Sequence, residues 1–262
     1  MWTRSLLKTN AKRALSGRYW RCLALCLLIS LLGIGFSGNG TMMQWNINTG
    51  WLNSALRGPV WHGNVSQADL LEWYLLSMPL EFWNALLMGA LIGLVLGAAY
   101  VAFVYNPVLV GRNRYFMESR QAPTPFSTVT SVFGSGYFHL VKVMFLVRLK
   151  ILLGCLLIVP GIYWAFCYHQ VPYLLAENPY LSTGRAMQLS REMMRGEKWK
   201  TFVLHLSFLG WQILCALSFG IGYVFLEPYI QATFSELYAA LRAKALVQGL
   251  SDESELGGFV RH

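Results

Sequence analysis

Residues 85–104 read ALLMGALIGLVLGAAYVAFV, a run of twenty positions without a single charged side chain. A helix needs about 20 apolar residues to cross a hydrocarbon core of roughly 30 Å. This stretch therefore predicts a transmembrane helix.

The composition of the whole chain agrees with a membrane protein. Of its 262 residues 55% are hydrophobic and only 13% are charged, and the mean hydropathy is +0.44. Soluble domains carry about 25% charged residues, so this chain has too few to cover a water-exposed surface. Its net charge of +9 would suggest nucleic acid as the partner of a soluble protein. In a membrane protein the same charge faces anionic headgroups, so we expect membrane lipid and no nucleic acid as a partner.

The distribution of apolar runs predicts an all-α fold, a polytopic membrane bundle of about six transmembrane helices. We expect them as three hairpins within a single membrane domain, residues 1–262. The predicted spans lie at about 19–36, 82–105, 138–159, 161–176, 201–218 and 222–241. An outer loop at 37–81 separates the first two spans, and a tail follows at 242–262. Cytoplasmic interfacial amphipathic segments are predicted at 1–18, 112–136 and 182–196.

Cationic residues set the orientation of these spans. In this arrangement all of the 21 lysines and arginines except Arg57 fall on one side of the membrane. Short loops that carry positive charge are retained in the cytoplasm. The chain is therefore predicted to be a multi-pass protein with both its N-terminus and its C-terminus in the cytoplasm.

A glycine followed three residues later by an aromatic residue recurs along the chain and indicates an internal repeat. Each pair is typical of a helix that ends at glycine and is followed by an interfacial aromatic anchor. The pairs stand at the predicted cytoplasmic entry to each hairpin: Gly17 and Trp20, Gly134 and Tyr137, Gly196 and Trp199. The second helix of each hairpin also carries a proline: Pro107, Pro172 and Pro228.

Three glycines lie on one face of the second predicted span, at Gly89, Gly93 and Gly97. Small residues at this spacing let the backbones of two membrane helices approach closely. The face is interpreted either as packing within the chain or as the seam of a homodimer.

Arg148 and Lys150 fall inside the third predicted span. A cation at mid-membrane costs at least about 2.5–3.5 kcal/mol unless it is paired or hydrated. One interpretation is a shallow or re-entrant hairpin that enters the bilayer only after Lys150. The other is a polar site in which Glu227, Glu81 or an anionic ligand is the partner of these cations.

Polar residues also stand one or two positions before the prolines of the second helices. Asn106 precedes Pro107, Gln170 lies two residues before Pro172, and Glu227 precedes Pro228. Broken helices of this kind often build substrate or ion sites in transporters. The alternative is a simple kink whose freed carbonyl is satisfied by neighbouring side chains. Asn106, Gln170 and Glu227 therefore join Arg148 and Lys150 as candidate polar or ligand-binding residues.

The segment 182–196 reads as a cationic amphipathic helix on the cytoplasmic face. Ser182 is predicted as its N-cap and Gly196 as its C-cap. Its cations are Arg185, Arg191 and Arg195, and its apolar side includes Met193 and Met194, which are expected to face lipid. The helix either anchors the protein to the lipid surface or binds a cytosolic partner, such as an ATPase subunit.

The sequence contains no recognisable catalytic, metal-binding or cofactor-binding motif. The five cysteines all fall in apolar segments without a CxxC pair, where a thiol behaves as a small hydrophobic group. Three histidines lie in or near spans, at His139, His169 and His205, and none has a second ligand at metal-binding spacing in the sequence. We therefore expect no cofactor, no metal and no catalytic residues.

Several different motifs follow one another in order along nearly the whole chain. They are Leu7-Lys8-x-x-Ala11-Lys12-x-x-Leu15-x-Gly17-x-Tyr19-Trp20, Gly111-x-Asn113-Arg114-Tyr115-Phe116, Ile158-x-Pro160-Gly161-Ile162, Val171-Pro172-Tyr173-x-Leu175-Ala176-Glu177-Asn178-Pro179, Ser190-x-x-Met193-Met194-x-Gly196-x-Lys198-Trp199-Lys200, Leu206-Ser207-Phe208-x-Gly210-Trp211 and Pro228-Tyr229. This pattern resembles the bacterial membrane proteins of domain of unknown function 975. The resemblance implies a helical integral protein of a bacterial cell (plasma) membrane, and it brings no activity and no catalytic residues.

These observations predict a non-enzymatic membrane scaffold or accessory subunit that engages lipid or a partner complex. The alternative is a transporter or export component with a polar path lined by kinked helices, which predicts a polar cavity reaching mid-membrane. A lipid-modifying enzyme is a third hypothesis, which requires a water-accessible cluster of histidine and carboxylate.

Overall fold

The computed structural model describes residues 2–31, 80–134, 136–157, 159–217 and 221–257. Every regular element within these ranges is helical, so the fold is all-α. A π-helical turn at Val101–Tyr105 and a 3-10 turn at Ser131–Phe133 accompany the α-helices. The α-helices in chain order are α1 (Arg4–Leu15), α2 (Tyr19–Leu31), α3 (Leu80–Tyr100), α4 (Asn106–Ser119), α5 (Ser127–Thr130), α6 (Tyr137–Cys155), α7 (Val159–Cys167), α8 (Val171–Glu177), α9 (Thr183–Met193), α10 (Lys198–Leu217) and α11 (Ile221–Val247).

Glycines with a left-handed backbone follow the amphipathic helices α1 and α9. Their φ angles are 78° at Gly17 and 77° at Gly196, a region that glycine enters without steric cost. The predicted helix stop at Gly17 is confirmed, because it directly follows the C-cap Ser16. The predicted N-cap Ser182 is confirmed as well, since its side chain accepts a hydrogen bond from a backbone N–H of α9. The predicted C-cap Gly196 is wrong by two residues, because α9 ends at Met193 with Met194 as its C-cap. At the third corner the left-handed residue is Gly136, with a φ of 90°, and not Gly134.

Two compact units make up the chain, residues 1–41 with 101–262 and residues 42–100. The described part of the second unit is α3, which has 21 residues and no buried side chain. Its leucines are open to their surroundings, with 69% of Leu94 and 64% of Leu96 exposed. A helix that is apolar on all sides requires an apolar environment, and 21 residues reach about 32 Å at ~1.5 Å per residue. By itself α3 has the length and the surface of a membrane span.

The number of spans is smaller in the structure than the sequence predicts. Among the described residues two helical stretches are long and apolar enough to cross a membrane, Leu80–Ser119 and Lys198–Leu217, and the apolar helix Tyr19–Ser30 is shorter. Six spans are therefore not confirmed. The predicted span at 161–176 is divided between α7 and α8, which have 9 and 7 residues. A helix of 9 residues reaches about 14 Å, too short for a hydrocarbon core of roughly 30 Å.

Other predicted boundaries also differ. The predicted tail is helical as far as Val247 and folded as far as residue 257. The break between the third and fourth predicted spans is expected near residue 160 and lies earlier, because α6 ends at Cys155 and α7 already begins at Val159. Residues 32–79, which include the end of the first predicted span, most of the outer loop and Arg57, lie outside the described residues.

Helices α4, α8 and α11 form the centre of the first unit. Leu174 and Leu175 of α8 and Leu237 and Leu241 of α11 are completely buried. Helices α1, α2 and α10 pack against α11, and α9 packs against α6, α8 and α11. This arrangement places the polar side chains of α4, α8 and α11 in the interior.

A close contact fixes α4 against α5. A Cβ atom added at Gly111 would overlap the backbone carbonyl of Val129. Only glycine allows the two backbones this approach, so Gly111 determines how α5 lies on the central helices.

Candidate functional site

A buried ion pair joins α4 to α11. Arg112 Nη1 lies 3.1 Å from Glu227 Oε1, and only 4% and 3% of the two side chains are exposed. One turn further along α11, Gln231 Nε2 donates a hydrogen bond of 2.8 Å to the same carboxylate oxygen. Each charge thus has its opposite inside the protein, which is the arrangement that makes a buried charge tolerable.

A second pair repeats this contact two turns along the same helices. Arg120 donates through Nε and Nη2 to the two carboxylate oxygens of Glu236, at 2.5 Å and 3.1 Å. Arg112 faces Glu227 and Arg120 faces Glu236, so α4 and α11 run in the same direction. We call these two pairs the α4–α11 ladder.

Glu177, the last residue of α8, connects this helix to the C-terminal half of α11. Its carboxylate accepts hydrogen bonds from Arg242 Nε at 2.9 Å and from the Tyr238 hydroxyl at 2.7 Å. The ring of Tyr238 also stacks on Tyr173, with the centroids 5.4 Å apart. The three central helices are therefore joined by charged or hydrogen-bonded contacts at several levels.

A small cavity lies beside the ladder. Its volume is about 20 Å³, and its lining includes Arg112, Asn113, His169 and Gln231. A cavity of this size has room for about one water molecule and for no organic solute. Among the described residues four fully buried side-chain atoms near the prolines or the ladder have no hydrogen-bond partner: Asn106 Oδ1, Arg112 Nε, Gln170 Oε1 and Glu227 Oε2.

Two histidines that are 36 positions apart in the sequence meet next to this cavity. His169 Nε2 and His205 Nε2 are 3.3 Å apart, and Gln170 Nε2 lies 3.2 Å from His169 Nδ1. The sequence did not reveal this pair, because only the packing of α7 against α10 brings the two residues together. No group of three metal-ligating side chains occurs in the part of the chain that the structure describes.

A family model matches residues 1–245 of the chain, and its description is "protein of unknown function (DUF975)". The chain belongs to the DUF975 family. No curated protein and no solved structure matches the chain.

The predicted polar residues of this DUF975 protein differ in burial. Glu227, Asn106 and Gln170 are all buried in the first unit. Arg148 is half-buried, with its guanidinium 4.9 Å from the ring of Tyr105. Lys150 is exposed, with its Nζ atom 5.8 Å from the ring of Tyr168.

The cation that pairs with Glu227 is therefore Arg112, which the sequence analysis did not select. Arg112 and Arg120 are eight residues apart, and Glu227 and Glu236 are nine apart. Two helices that run in parallel place residues at such similar spacings opposite each other, and this matched spacing is the signal that could have identified the ladder.

The predicted interfacial helix of the DUF975 protein is α9. Only 2% of Met193 and 0% of Met194 are exposed, so these side chains pack inside the protein and do not face lipid. Arg191 and Arg195 lie on the exposed side, and Arg191 Nη2 donates to the Tyr168 hydroxyl at 3.4 Å.

Arg185, the third predicted cation of this helix, binds the segment that follows α11 through Leu250 and Glu255. It donates to both carboxylate oxygens of Glu255, at 2.9 Å from Nε and 2.7 Å from Nη2, and to the Leu250 carbonyl at 2.6 Å. The hydrogen bond from Arg185 lowers the pKa of the Glu255 carboxyl, and the bond to Glu255 raises the pKa of Arg185. Leu256 is fully buried and its carbonyl accepts from Arg242. We call residues 250–257 the C-terminal strap.

The small-residue face predicted at Gly89, Gly93 and Gly97 belongs to α3. A Cβ atom added at any of these three glycines would meet no atom within 4 Å.

Proposed function

We propose that this DUF975 protein is a multi-pass scaffold of a bacterial plasma membrane, with both termini in the cytoplasm, that engages lipid and a partner complex without performing chemistry itself. Membership in a family of unknown function supplies no activity, so the proposal rests on the geometry of the chain. The observation that carries it is the buried ion pair between α4 and α11, from which we infer an interior that stays closed beneath an apolar exterior.

The interior supports a structural role because its charges are paired with one another. Arg112 and Glu227 are almost completely buried, and the adjoining cavity of about 20 Å³ has room for about one water molecule. Breaking a buried pair costs about 3–5 kcal/mol. A pair of this kind therefore fixes the relative position of α4 and α11.

The exterior supports membrane insertion. Helix α3 is apolar and has no buried residue, and α10 has the length and hydropathy of a second span. Exposed apolar surfaces of this extent mark contacts with lipid or protein. Tryptophans with 74% (Trp20) and 72% (Trp199) exposure suit the headgroup region, where aromatic residues are enriched.

Thiol reactivity tests the closed interior. Cys26 is 3% exposed and interacts electrostatically with Glu227 and Arg112, so it reports on access to the ladder. In native membranes we expect a small methanethiosulfonate reagent to leave Cys26 unmodified until the protein is unfolded. A Ser16→Cys variant, at an exposed position, serves as the aqueous control and should react at once. Modification of Cys26 at a rate close to that of the control would refute the closed interior.

A partner complex is tested at the exposed face of α9. A photo-cross-linking residue placed at Arg195 should give one discrete adduct in intact cells, and the same residue placed at exposed Thr9 should not. The absence of any adduct at Arg195 would remove the partner from the proposal.

Transport is the second candidate, and the unpartnered buried atoms favour it. Glu227 Oε2 and Arg112 Nε lie in the interior without a hydrogen-bond partner among the described residues, and polar groups within membrane proteins often mark ion paths. A transporter would open this region in one of its states, so the same Cys26 experiment separates the two functions.

A further inference from the structure

The turn between α6 and α7 presents an apolar surface that no part of the described chain covers. Leucine side chains dominate it, and most of their area is exposed. We call this surface the hairpin tip, and it consists of Leu152 (65% exposed), Leu153 (59%), Leu156 (82%), Leu157 (72%), Val159 (75%) and Ile162 (57%). Six neighbouring apolar side chains at these exposures form a patch of the kind that binds lipid or protein.

Two glycines hold the hairpin tip in one shape. A Cβ atom on Gly161 would lie 2.6 Å from Cys155 Cα, and one on Gly154 would lie 2.6 Å from the ring of Trp164. The two helices therefore touch backbone to backbone at their junction. The tip is a compact wedge and not a loose loop.

Cations without acidic partners border the hairpin tip. Lys150 is exposed at its base, and Lys198 of α10 reaches it with Nζ 3.4 Å from the Tyr163 hydroxyl and 4.6 Å from the ring. None of the ion pairs among the described residues involves Arg148, Lys150 or Lys198. The sequence between Glu118 and Glu177 contains no acidic residue at all, so this surface is complementary to negative charge.

The dimensions of the hairpin tip fit one leaflet. From Lys150 to Leu157 the chain advances about 10 Å at ~1.5 Å per residue. A bilayer core is roughly 30 Å thick, whereas interfacial segments enter the headgroup and acyl boundary by about 5–10 Å. The tip is too short to cross the core and long enough to enter one side of it.

We propose that the hairpin tip inserts into a single leaflet of anionic phospholipid, with Lys150 and Lys198 at the level of the phosphates. The proposal rests on the membrane location proposed above and specifies the lipid class and the depth. It selects the shallow hairpin from the two interpretations of Arg148 and Lys150. An apolar groove on another protein is the competing occupant of this surface.

A fluorophore on Cys155 measures the depth. Cys155 is exposed and the other four cysteines are buried, so a maleimide nitrobenzoxadiazole probe labels the folded full-length protein at the tip. In proteoliposomes with phosphatidylglycerol we expect stronger quenching by a nitroxide near the headgroup end of the acyl chain than by one near its methyl end. Stronger quenching from the methyl end would show a full span, and quenching by neither would show water or protein at the tip; both results overturn the proposal.

A probe on α3 separates this proposal from the proposed function. In a Leu94→Cys, Cys155→Ser variant the probe sits midway along the predicted span 82–105, and quenching is expected to be strongest from the methyl end. If the α3 probe is deep and the Cys155 probe is unquenched, only the hairpin proposal fails. If neither probe is quenched and alkaline carbonate removes the protein from the vesicles, the membrane scaffold fails as well.

Charge variants test the lipid class. Lys150→Glu with Lys198→Glu should weaken retention of phosphatidylglycerol in native mass spectrometry, and Lys150→Arg with Lys198→Arg should leave it unchanged. Each surface cation contributes about 1 kcal/mol, or about fivefold, so the loss of both is expected to weaken binding at least about 25-fold. Equal retention by the glutamate and arginine variants, with both folded by circular dichroism, would refute a role for these cations.

Discussion

Replacing Arg112 by methionine removes the cation that neutralises Glu227 in the interior. The two side chains are 4% and 3% exposed and 3.1 Å apart, so water cannot take over the role of the arginine. Leaving one charge of a buried pair uncompensated costs about 3–5 kcal/mol. At about 2–4 °C per kcal/mol for a chain of this size, the melting temperature should fall by roughly 6–20 °C.

The paired variant Arg112→Met with Glu227→Met should recover most of this loss. Methionine fills a similar volume without a charge, and replacing both partners of a buried pair is often neutral or stabilising. Thermal unfolding in detergent, followed by tryptophan fluorescence, gives the four melting temperatures of this double-mutant cycle: those of the native chain, Arg112→Met, Glu227→Met and the paired variant.

A pair on the same helix provides the matched control. Arg114 and Glu118 are 2.9 Å apart, but 36% and 26% of their side chains are exposed, and exposed pairs contribute about 0–1 kcal/mol. Arg114→Met should therefore change the melting temperature little. If Arg112→Met is as mild as Arg114→Met, or if the paired variant is no more stable than Arg112→Met, the structural role of the ladder is refuted.

Gly111→Ala should lower the free energy of unfolding by about 1–3 kcal/mol in denaturant titration, because its Cβ would overlap the backbone of α5. The control is Gly210→Ala, where a Cβ meets nothing within 4 Å and the change should be neutral or stabilising by about 0.5–1 kcal/mol. Equal effects of the two substitutions would contradict the packing argument. The C-terminal strap should loosen in acid. The pKa of Glu255 is lowered in the folded protein, so its ion pair stabilises the strap above the unfolded pKa of about 4.3, and this stabilisation is lost as the pH falls through the folded pKa. The rate of hydrogen exchange at residues 250–257 should therefore rise below that pH range. A Glu255→Gln variant with the same pH profile as the native chain would exclude this carboxyl as the cause. Tyr238→Phe should lower the melting point, since it removes a 2.7 Å hydrogen bond to the buried carboxylate of Glu177, a loss of about 1–3 kcal/mol; an unchanged melting point would show that this carboxylate is satisfied without the hydroxyl.

Features that depend on local chemistry could be predicted from the sequence. The all-α class follows from long apolar runs and helical periodicity, and the helix stop at Gly17 follows from the backbone freedom of glycine. The N-cap at Ser182 follows from a hydroxyl that reaches its own helix start. Each of these involves residues a few positions apart.

The ladder could not be predicted in the same way. Arg112 and Glu227 are 115 positions apart, and nothing in the local sequence distinguishes Arg112 from Arg148 as a partner. Arg148 attracted attention because of its apolar neighbours, yet α6 places it against Tyr105. The choice between these cations is made by helix packing, which the pattern of a single chain does not contain.

The orientation of α9 shows a related limit. The spacing of Met193 and Met194 identifies an apolar side, but an amphipathic pattern does not say whether lipid or protein covers that side. Here α6, α8 and α11 pack against α9. The C-terminal strap escaped prediction for the same reason, because Arg185 of α9 meets Glu255 only after the segment that follows α11 has packed against α9.

The α4–α11 ladder restricts which movements the centre of this protein can make. If α4 slid by one turn, about 5.4 Å, Arg112 would leave Glu227 for the uncharged amide of Gln231, and Arg120 would leave Glu236. Piston-like gating along the axes of these two helices is thereby blocked. The two helices can still tilt or move together as one rigid unit. A displacement at one end of the pair then reaches the other end without a change in the length of the pair.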